Sequence, residues 1–190
     1  MPVESPTTRV DSSFIRAAVD RFERPLTLYA ARLLGNQEAA RDVAQDTFMR
    51  LCAQPRAEVE PRLAEWLFTV CRNRALDILR KESRMARTTT QHLELRPTTE
   101  PEPPDLAESR ESGEQVLQLL GLLPESQQEV IRLRFQNGFS YAEISRISGH
   151  SVSNVGYLLH HGIKTLRTRL TTGPTTIRTC SAQGDHVHVD

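Results

Sequence analysis

The sequence predicts an all-α protein built from two small helical domains joined by a flexible linker, the second of which is a helix-turn-helix domain. Apolar residues recur at steps of three and four along most of the chain, as amphipathic helices require. Near the C-terminal end, three such patterns are separated by two short breaks. The predicted divisions are a disordered start (1–10), a first domain (11–86), a linker (87–112), a second domain (113–171) and a polar, disordered tail (172–190).

Length and charge restrict the classes of function. The chain has 190 residues, of which 38% are hydrophobic and 5% aromatic, so each domain should have a small aliphatic core. Its 24 basic and 24 acidic residues cancel, so any affinity for nucleic acid must come from local basic patches. Because no long apolar run and no signal-like start are present, we expect a soluble cytoplasmic protein. No nucleophile constellation, phosphate loop or zinc-protease motif is present, so we expect no enzyme, no cofactor and no small-molecule substrate.

The first predicted helix starts at Asp11 or Ser12 and has an apolar stripe. Pro25 should kink this helix or start a new one, and Gly35-Asn36 should end it. The stripe comprises Phe14, Ile15, Val19, Phe22, Leu26, Tyr29, Leu33 and Leu34.

The second predicted helix, Gln37 to Cys52, has the clearest pattern, and Asn36 is its expected cap. Asp42, Gln45 and Asp46 share an exposed face at i, i+3 and i+4. Since two acids one turn apart repel each other, this face either binds a basic partner or is simply solvated. The predicted buried stripe is Ala40, Val43, Ala44, Thr47, Phe48 and Leu51.

After a predicted loop, Gln54 to Pro61, a long helix should run from Arg62 to Arg84. Its outer face could contact phosphates and base edges, or it could merely face water. The residues of that face are Arg72, Asn73, Asp77, Arg80, Lys81 and Arg84. The predicted core residues are Leu63, Trp66, Leu67, Val70, Cys71, Ala75 and Ile78, and both Cys52 and Cys71 are expected to be reduced core thiols.

Three helices make up the predicted helix-turn-helix. Pro124 suits the start of the first, whose apolar residues are Val130, Ile131 and Phe135, and Asn137-Gly138 ends it. Ser140-x-x-Glu143 is a capping box that opens a short helix over Tyr141 to Ser148, and Phe139 with Ile144 forms a hydrophobic staple. Gly149 then allows a tight turn, and Ser151 can cap the last helix.

The last helix combines an apolar stripe with a polar, basic outer face. A short helix, a glycine turn and a longer helix of this kind are typical of DNA binding, although ordinary helical hairpins share the layout. The stripe is Val152, Val155, Leu159, Ile163, Leu166 and Leu170. The outer face is Ser151, Ser153, Asn154, Tyr157, His160, His161, Lys164, Arg167 and Arg169.

Three stretches of the chain together resemble the extracytoplasmic-function (ECF) sigma factors, the two-domain class of bacterial transcription initiation factors. FERPLTLYAARLLGNQEAARDVAQDTFMRLC and RLAEWLFTVCRNRALDILRKESR resemble the family's second conserved region. LPESQQEVIRLRFQNGFSYAEISRISGHSVSNV resembles its fourth region. The resemblance implies that the chain binds core RNA polymerase and promoter DNA, both duplex and single-stranded, and that an anti-sigma factor holds it inactive.

The same resemblance implies a role for particular residues. Asp42, Gln45, Asp46 and Phe48 match the polymerase-binding motif. Trp66, Asn73, Asp77, Arg80 and Lys81 match the segment that melts and reads the minus-ten element, a surface to which Arg72 and Arg84 also contribute. The loop from Gln54 to Arg62 corresponds to the one that captures a flipped base. The helix from Ser151 to Lys164 matches the one that enters the minus-thirty-five major groove, and the linker should thread the polymerase cleft, unless it is a plain spacer.

One departure from the family pattern concerns Gly156, Leu158 and His161, which stand where relatives usually have lysine or arginine. Fewer fixed charges predict weaker and less salt-dependent binding to the upstream duplex. The tail contains Cys180, His186 and His188, which are possible soft-metal ligands. Their spacing matches no standard site, so we predict a disordered end without metal. Two alternative functions stay open: a helix-turn-helix regulator that does not dock on polymerase, and a helical protein-binding adaptor.

Overall fold

The computed structural model describes residues 10–88 and 116–172, and the elements it forms there are helices. The predicted all-α fold is therefore confirmed. A short 3-10 turn, Glu60–Arg62, precedes the fourth helix. The helices are α1 (Ser12–Leu34), α2 (Gln37–Cys52), α3 (Arg56–Val59), α4 (Leu63–Thr88), α5 (116–121), α6 (Glu125–Phe135), α7 (Tyr141–Ser148) and α8 (Val152–Thr172). Apart from their edges, the predicted disordered start, linker and tail lie outside the described residues.

Helices α1 and α2 begin and end at the predicted signals. The Asp11 carboxylate caps α1 by accepting a hydrogen bond from the Phe14 backbone N–H at 2.7 Å. The helix continues through Pro25 and ends at Gly35, whose φ of 66° is the left-handed conformation that glycine tolerates best. Asn36 then caps α2, as predicted. The two helices consequently form an antiparallel pair.

The core of the first domain lies between α1, α2 and α4. The predicted buried stripe of α2 is buried in full. Three expectations were wrong: Cys52 is exposed, Val10 is buried rather than part of a disordered start, and the expected loop before α4 contains α3, which buries Val59. The sequence pattern also missed Phe68, which is 1% exposed.

In the second domain, α6, α7 and α8 enclose a separate set of apolar side chains. Phe139 and Ile144 are both buried, which confirms the hydrophobic staple. Phe135, one of the three apolar residues picked out on α6, is 65% exposed, whereas Leu133, which was not picked out, is fully buried. On α8 the buried hydrophobic side chains are Val155, Leu158 and Leu159, whereas two members of the predicted stripe, Val152 and Leu170, are exposed.

The two domains pack directly against each other through α4 and α7. The Phe68 ring of α4 meets the Phe139 ring edge-on, with centroids 5.1 Å apart, and Tyr29 packs on its other side at 5.2 Å. Burying a phenylalanine side chain contributes about 2 kcal/mol. The apolar cores of the two domains therefore join into one cluster. None of the described helices is long and apolar enough to span a membrane.

Candidate nucleic-acid interface

The turn between α7 and α8 is fixed by local hydrogen bonds. The Ser140 hydroxyl accepts from the Glu143 backbone N–H at 3.3 Å, and a Glu143 carboxylate oxygen accepts from the Ser140 backbone N–H at 2.7 Å. These two bonds confirm the predicted capping box. The Ser140 hydroxyl, which lies 2.6 Å from Glu143 Oε2, and the Ser140 backbone N–H both donate to this carboxylate and hold the pKa of Glu143 below its usual value. Gly149, at φ 75°, then reverses the chain, and the Ser151 hydroxyl accepts from the Asn154 N–H at 3.2 Å to start α8.

The outer face of α8 presents an aromatic strip among polar groups. Tyr157 and His161 lie with ring centroids 4.2 Å apart, and His160 meets His161 edge-on at 5.6 Å. The Asn154 amide nitrogen lies 3.3 Å from Nδ1 of His150. All nine residues predicted for this face are exposed, including the seven between Ser151 and Lys164 that the family resemblance assigns to DNA: Ser151, Ser153, Asn154, Tyr157, His160, His161 and Lys164. Such a face can contact base edges and phosphates of a major groove.

The structure reinterprets the unusual residues at 156 and 158. Leu158 is buried, so a lysine or arginine there would point into the core rather than toward DNA. Gly156 faces Tyr141, whose ring atom Cε2 lies 3.7 Å from the position of a Cβ added to the glycine. Only His161 of the three stands on the exposed face. The predicted loss of charge toward DNA therefore concerns His161 rather than all three residues.

The acidic face of α2 is divided between exposed and paired groups. Asp42 and Gln45 are exposed. Asp46 pairs with Arg74 of α4 at 3.0 Å and with Arg50 at 3.4 Å, so it also ties α2 to α4. Phe48 lies in the core at 9% exposure and supports this face from below. Asp42 and Gln45 are thus the two predicted polymerase-binding residues with open access to a partner.

The outer stripe of α4 lies mostly in solvent. Arg80 pairs with Asp77 at 3.3 Å, and Trp66 is half-buried. The exposed members of the predicted minus-ten surface are Asn73, Asp77, Arg80, Lys81 and Arg84. Arg72 differs from them, because its guanidinium turns toward the second domain and binds Glu129 of α6.

The segment before α4 is braced against the start of the chain. Arg56 donates to Glu60 at 3.0 and 2.8 Å and to Asp11 at 2.9 Å, and it lies over the Phe14 ring at 4.9 Å. The hydrogen bond to Glu60 raises the pKa of Arg56 despite some desolvation. The segment predicted to capture a flipped base is therefore a structured turn rather than an open loop.

Sequence reasoning missed the residues that join the two domains, namely Tyr29, Glu65, Glu129 and Arg146. A signal for one of them was present on α4. Glu65, Phe68 and Arg72 fall at i, i+3 and i+7, which makes a second stripe beside the core stripe, with an apolar residue at its centre. In the described ranges, no group of three or more possible metal ligands was found. Cys180, His186 and His188 lie outside those ranges.

A helical domain with a basic stripe, joined to a helix-turn-helix, is the arrangement of a DNA-binding protein. Comparison with known proteins refines this class. Residues 18–85 match the family described as Sigma-70 region 2, and residues 113–166 match Sigma-70, region 4. The chain belongs to the sigma-70 family, and within it to the ECF sigma factors.

Relatives and solved structures agree with this assignment. The ECF RNA polymerase sigma factor SigL of Mycobacterium tuberculosis is 29% identical over 84% of this chain and 90% of its own length. SigW of Bacillus subtilis is 26% identical over 80% of this chain and 86% of its own. The fold is similar to that of the sigma factor RpoE from Bartonella quintana in complex with the anti-sigma factor NepR, with a TM-score of 0.62 at 21% identity, covering 82% of this chain and 96% of that one.

Proposed function

We propose that this sigma factor binds core RNA polymerase through the exposed acids of α2 and directs it to promoters through α4 and α8. The proposal depends mainly on one observation: the two sigma-70 regions occur in order, at residues 18–85 and 113–166, and each presents an exposed polar face. The protein acts by binding, and its role is to select where polymerase starts.

Strand opening follows from binding energy for unpaired bases. In this proposal, the α4 stripe holds the backbone of the separated non-template strand, and Trp66 with the turn at residues 54–62 contacts its bases. A ligand that binds only the open form shifts the duplex toward that form by its differential affinity. The basic residues Arg80, Lys81 and Arg84 supply the phosphate contacts.

Upstream recognition is assigned to α8. Asn154 is suited to bidentate contact with adenine, and the ring of Tyr157 offers apolar contact to a thymine methyl group. Within the stretch from Ser151 to Lys164 that is assigned to the major groove, Lys164 is the one lysine or arginine, so the duplex contact should release few counterions and depend weakly on salt.

A protein inhibitor is also proposed. Two solved structures of similar fold contain a second protein. The sigma factor RpoE is in complex with the anti-sigma factor NepR, and CnrH, which this chain matches at a TM-score of 0.55 and 21% identity, is in complex with the cytosolic domain of CnrY. We infer that an anti-sigma protein binds this chain as well and blocks one of its faces.

The decisive experiment is run-off transcription with purified core polymerase and a library of genomic fragments from the source bacterium. Promoter-dependent transcripts that appear only with this protein are the expected result. No such transcript from any fragment would contradict the proposal. Binding of the protein to duplex DNA without transcripts would favour a regulator that uses the helix-turn-helix alone.

The polymerase surface can be tested by charge reversal at Asp42. Asp42→Arg should reduce capture of core polymerase at least tenfold, because the residue is exposed and its carboxylate would meet a basic partner. Asp20→Arg, an equal charge change on the exposed side of α1, is the matched control and should bind as the unaltered protein does. Equal capture by both variants would remove α2 from the interface.

A further inference from the structure

The contact between the two domains is polar at its edges and apolar at its centre. At the centre, the Phe68 ring is enclosed between Tyr29 and Phe139. On the α1 side, Arg32 donates to the Gln136 side chain at 3.1 Å. The interface therefore combines apolar burial with directional bonds, as a specific contact does.

Glu129 of α6 is the acceptor at which the two domains meet. Its Oε1 accepts from the Tyr29 hydroxyl at 2.6 Å and from Arg72 Nε at 2.7 Å, and its Oε2 lies 3.4 Å from Arg72 Nη2. The Arg72 and Glu129 side chains are only 17% and 10% exposed. Burial raises the pKa of the Tyr29 hydroxyl well above its usual value, and the charge of Glu129 adds to this effect. Tyr29 consequently remains a donor at all physiological pH values.

A second ion pair closes the other side of the interface. Arg146 of α7 donates from Nε and Nη2 to the two carboxylate oxygens of Glu65 on α4, both at 2.7 Å. The Glu65 side chain is 9% exposed. A bidentate pair of this geometry fixes orientation as well as distance. Removing Arg146 would leave the Glu65 carboxylate as an uncompensated buried charge, because water cannot solvate it while the domains stay in contact.

We propose that the Tyr29–Glu129–Arg72 and Glu65–Arg146 contacts form a latch that holds the free sigma factor closed, and that opening the latch releases Arg72 for nucleic acid. In the closed form the Glu129 carboxylate occupies the guanidinium fork that could otherwise hold a phosphate. Arg72 adjoins Asn73 at the edge of the α4 stripe, so closure removes one cation from the proposed single-strand surface. Apparent affinity for DNA is then reduced by the fraction of molecules that are closed. This inference depends on the proposed function only where it concerns DNA.

Closure is tested by fluorescence energy transfer between dyes on the two domains. Arg16 of α1 and Arg167 of α8 are exposed and can be replaced by cysteine in a background with Cys52→Ser and Cys180→Ser, while Cys71 is buried. We expect one high-efficiency population in the free protein. Glu129→Ala together with Arg146→Ala should move most molecules to lower efficiency. Unchanged efficiency in that variant, or an already separated unaltered protein, would overturn the latch.

Swapping the charges of Glu65 and Arg146 distinguishes loss of the ion pair from misfolding of a variant. Glu65→Arg and Arg146→Glu should each lower the transfer efficiency, and the double swap should restore at least half of the loss, because the ion pair is rebuilt with reversed polarity. Helical content measured by circular dichroism should be the same in all three variants. If the double swap is as open as the single variants, a specific pair does not hold the domains.

The release of Arg72 is tested separately with a fluorescent single-stranded DNA of mixed sequence. Glu129→Ala should bind it at least threefold more tightly than Glu125→Ala, which removes one exposed acid from the same helix and so matches the change in net charge. Equal affinities, or no binding by either variant, would overturn the masking of Arg72. Energy transfer would still decide closure, and run-off transcription would still decide the proposed function.

Discussion

Two glycines on α8 have opposite surroundings. A Cβ added at Gly162 would lie 2.6 Å from Ile131 Cδ1 and 3.5 Å from Gln127 Cβ, both on α6. One added at Gly156 would meet Tyr141 at the ordinary contact distance of 3.7 Å. Gly162 therefore permits the close approach of α8 to α6 that builds the second domain, whereas Gly156 serves no such purpose.

The matched substitutions should change stability in opposite directions. Gly162→Ala should lower the free energy of unfolding by about 1 kcal/mol, because the crowding of the buried Ile131 outweighs the helix propensity that alanine adds. Gly156→Ala should raise it by about 0.5–1 kcal/mol, since alanine favours a helix and space is available. Urea denaturation followed by circular dichroism measures both. A Gly162→Ala protein as stable as the unaltered one would show that the Ile131 side chain can move aside without cost.

At the level of residues, the sequence was most informative where a side chain faces water. Every residue predicted for the outer face of α8 is exposed, because its helical periodicity separates the core from the surface. The prediction was less complete for Arg72 and for Asp46, whose partners Glu129 and Arg74 are distant in sequence. A charged side chain that pairs with a distant residue and one that only faces water give the same local sequence pattern, so the sequence does not distinguish a paired cation from a solvated one.

Among the elements, α7 shows how local hydrogen bonds determine where a helix starts. Helix α7 has only eight residues, so it depends on its capping box. Ser140→Ala should lower the free energy of unfolding by about 1 kcal/mol through loss of the cap. Thermal denaturation monitored at 222 nm measures this loss, and an unchanged midpoint would mean that packing alone maintains α7.

The reciprocal bond of the capping box adds a dependence on pH. Hydrogen bonds from Ser140 lower the pKa of Glu143 in the folded protein, so ionised Glu143 stabilises that state. The contribution is complete above the unfolded pKa of about 4.3 and is lost as pH falls through the lowered value. Glu143→Gln should therefore be less stable than the unaltered protein at pH 7, with the difference shrinking below pH 4. A difference that stays constant down to pH 3 would assign the effect to packing rather than charge.

Element boundaries were predictable where caps and periodicity agreed. The bounds of α2 were predicted correctly, because Asn36 and a continuous apolar stripe mark the same helix. The segment before α4 was read as a loop, since Pro55 and Pro61 flank it and its single buried residue, Val59, gives no period. Its two helical turns depend on Arg56 bonding to Asp11, a contact between residues distant in sequence.

For the whole molecule, Cys71 reports when the first domain opens. The thiol is fully buried, and this burial raises its pKa to about 12. Two variants are compared at pH 8: one keeps only Cys71, and the other keeps only Cys52, with the remaining cysteines replaced by serine. Cys71 should react with a chromogenic disulfide at least a hundredfold more slowly than Cys52, because its nucleophilic thiolate is scarce and enclosed. Rates measured against urea concentration should follow unfolding of the domain. Equal rates for the two thiols in buffer would contradict this buried position.

The packing of one domain on the other was the part of the fold that the sequence did not predict. Glu65 and Arg146 each read as ordinary surface charges, and Phe68 lay beside the predicted core stripe rather than in it. Glu65 and Arg146, which form the ion pair, are 81 positions apart in the sequence. Helical periodicity describes which side of a helix is apolar, but it does not say which other helix covers that side.

The brace between Asp11 and Arg56 also has a practical consequence. Asp11 is the cap of α1, and Val10 donates to the Gln54 carbonyl at 3.4 Å, so the backbone enters the fold right beside the turn assigned to base capture. A purification tag fused ahead of Val10 would emerge there and compete for the same space. Recombinant protein intended for promoter assays should therefore be tagged at its other terminus, or have the tag cleaved before use.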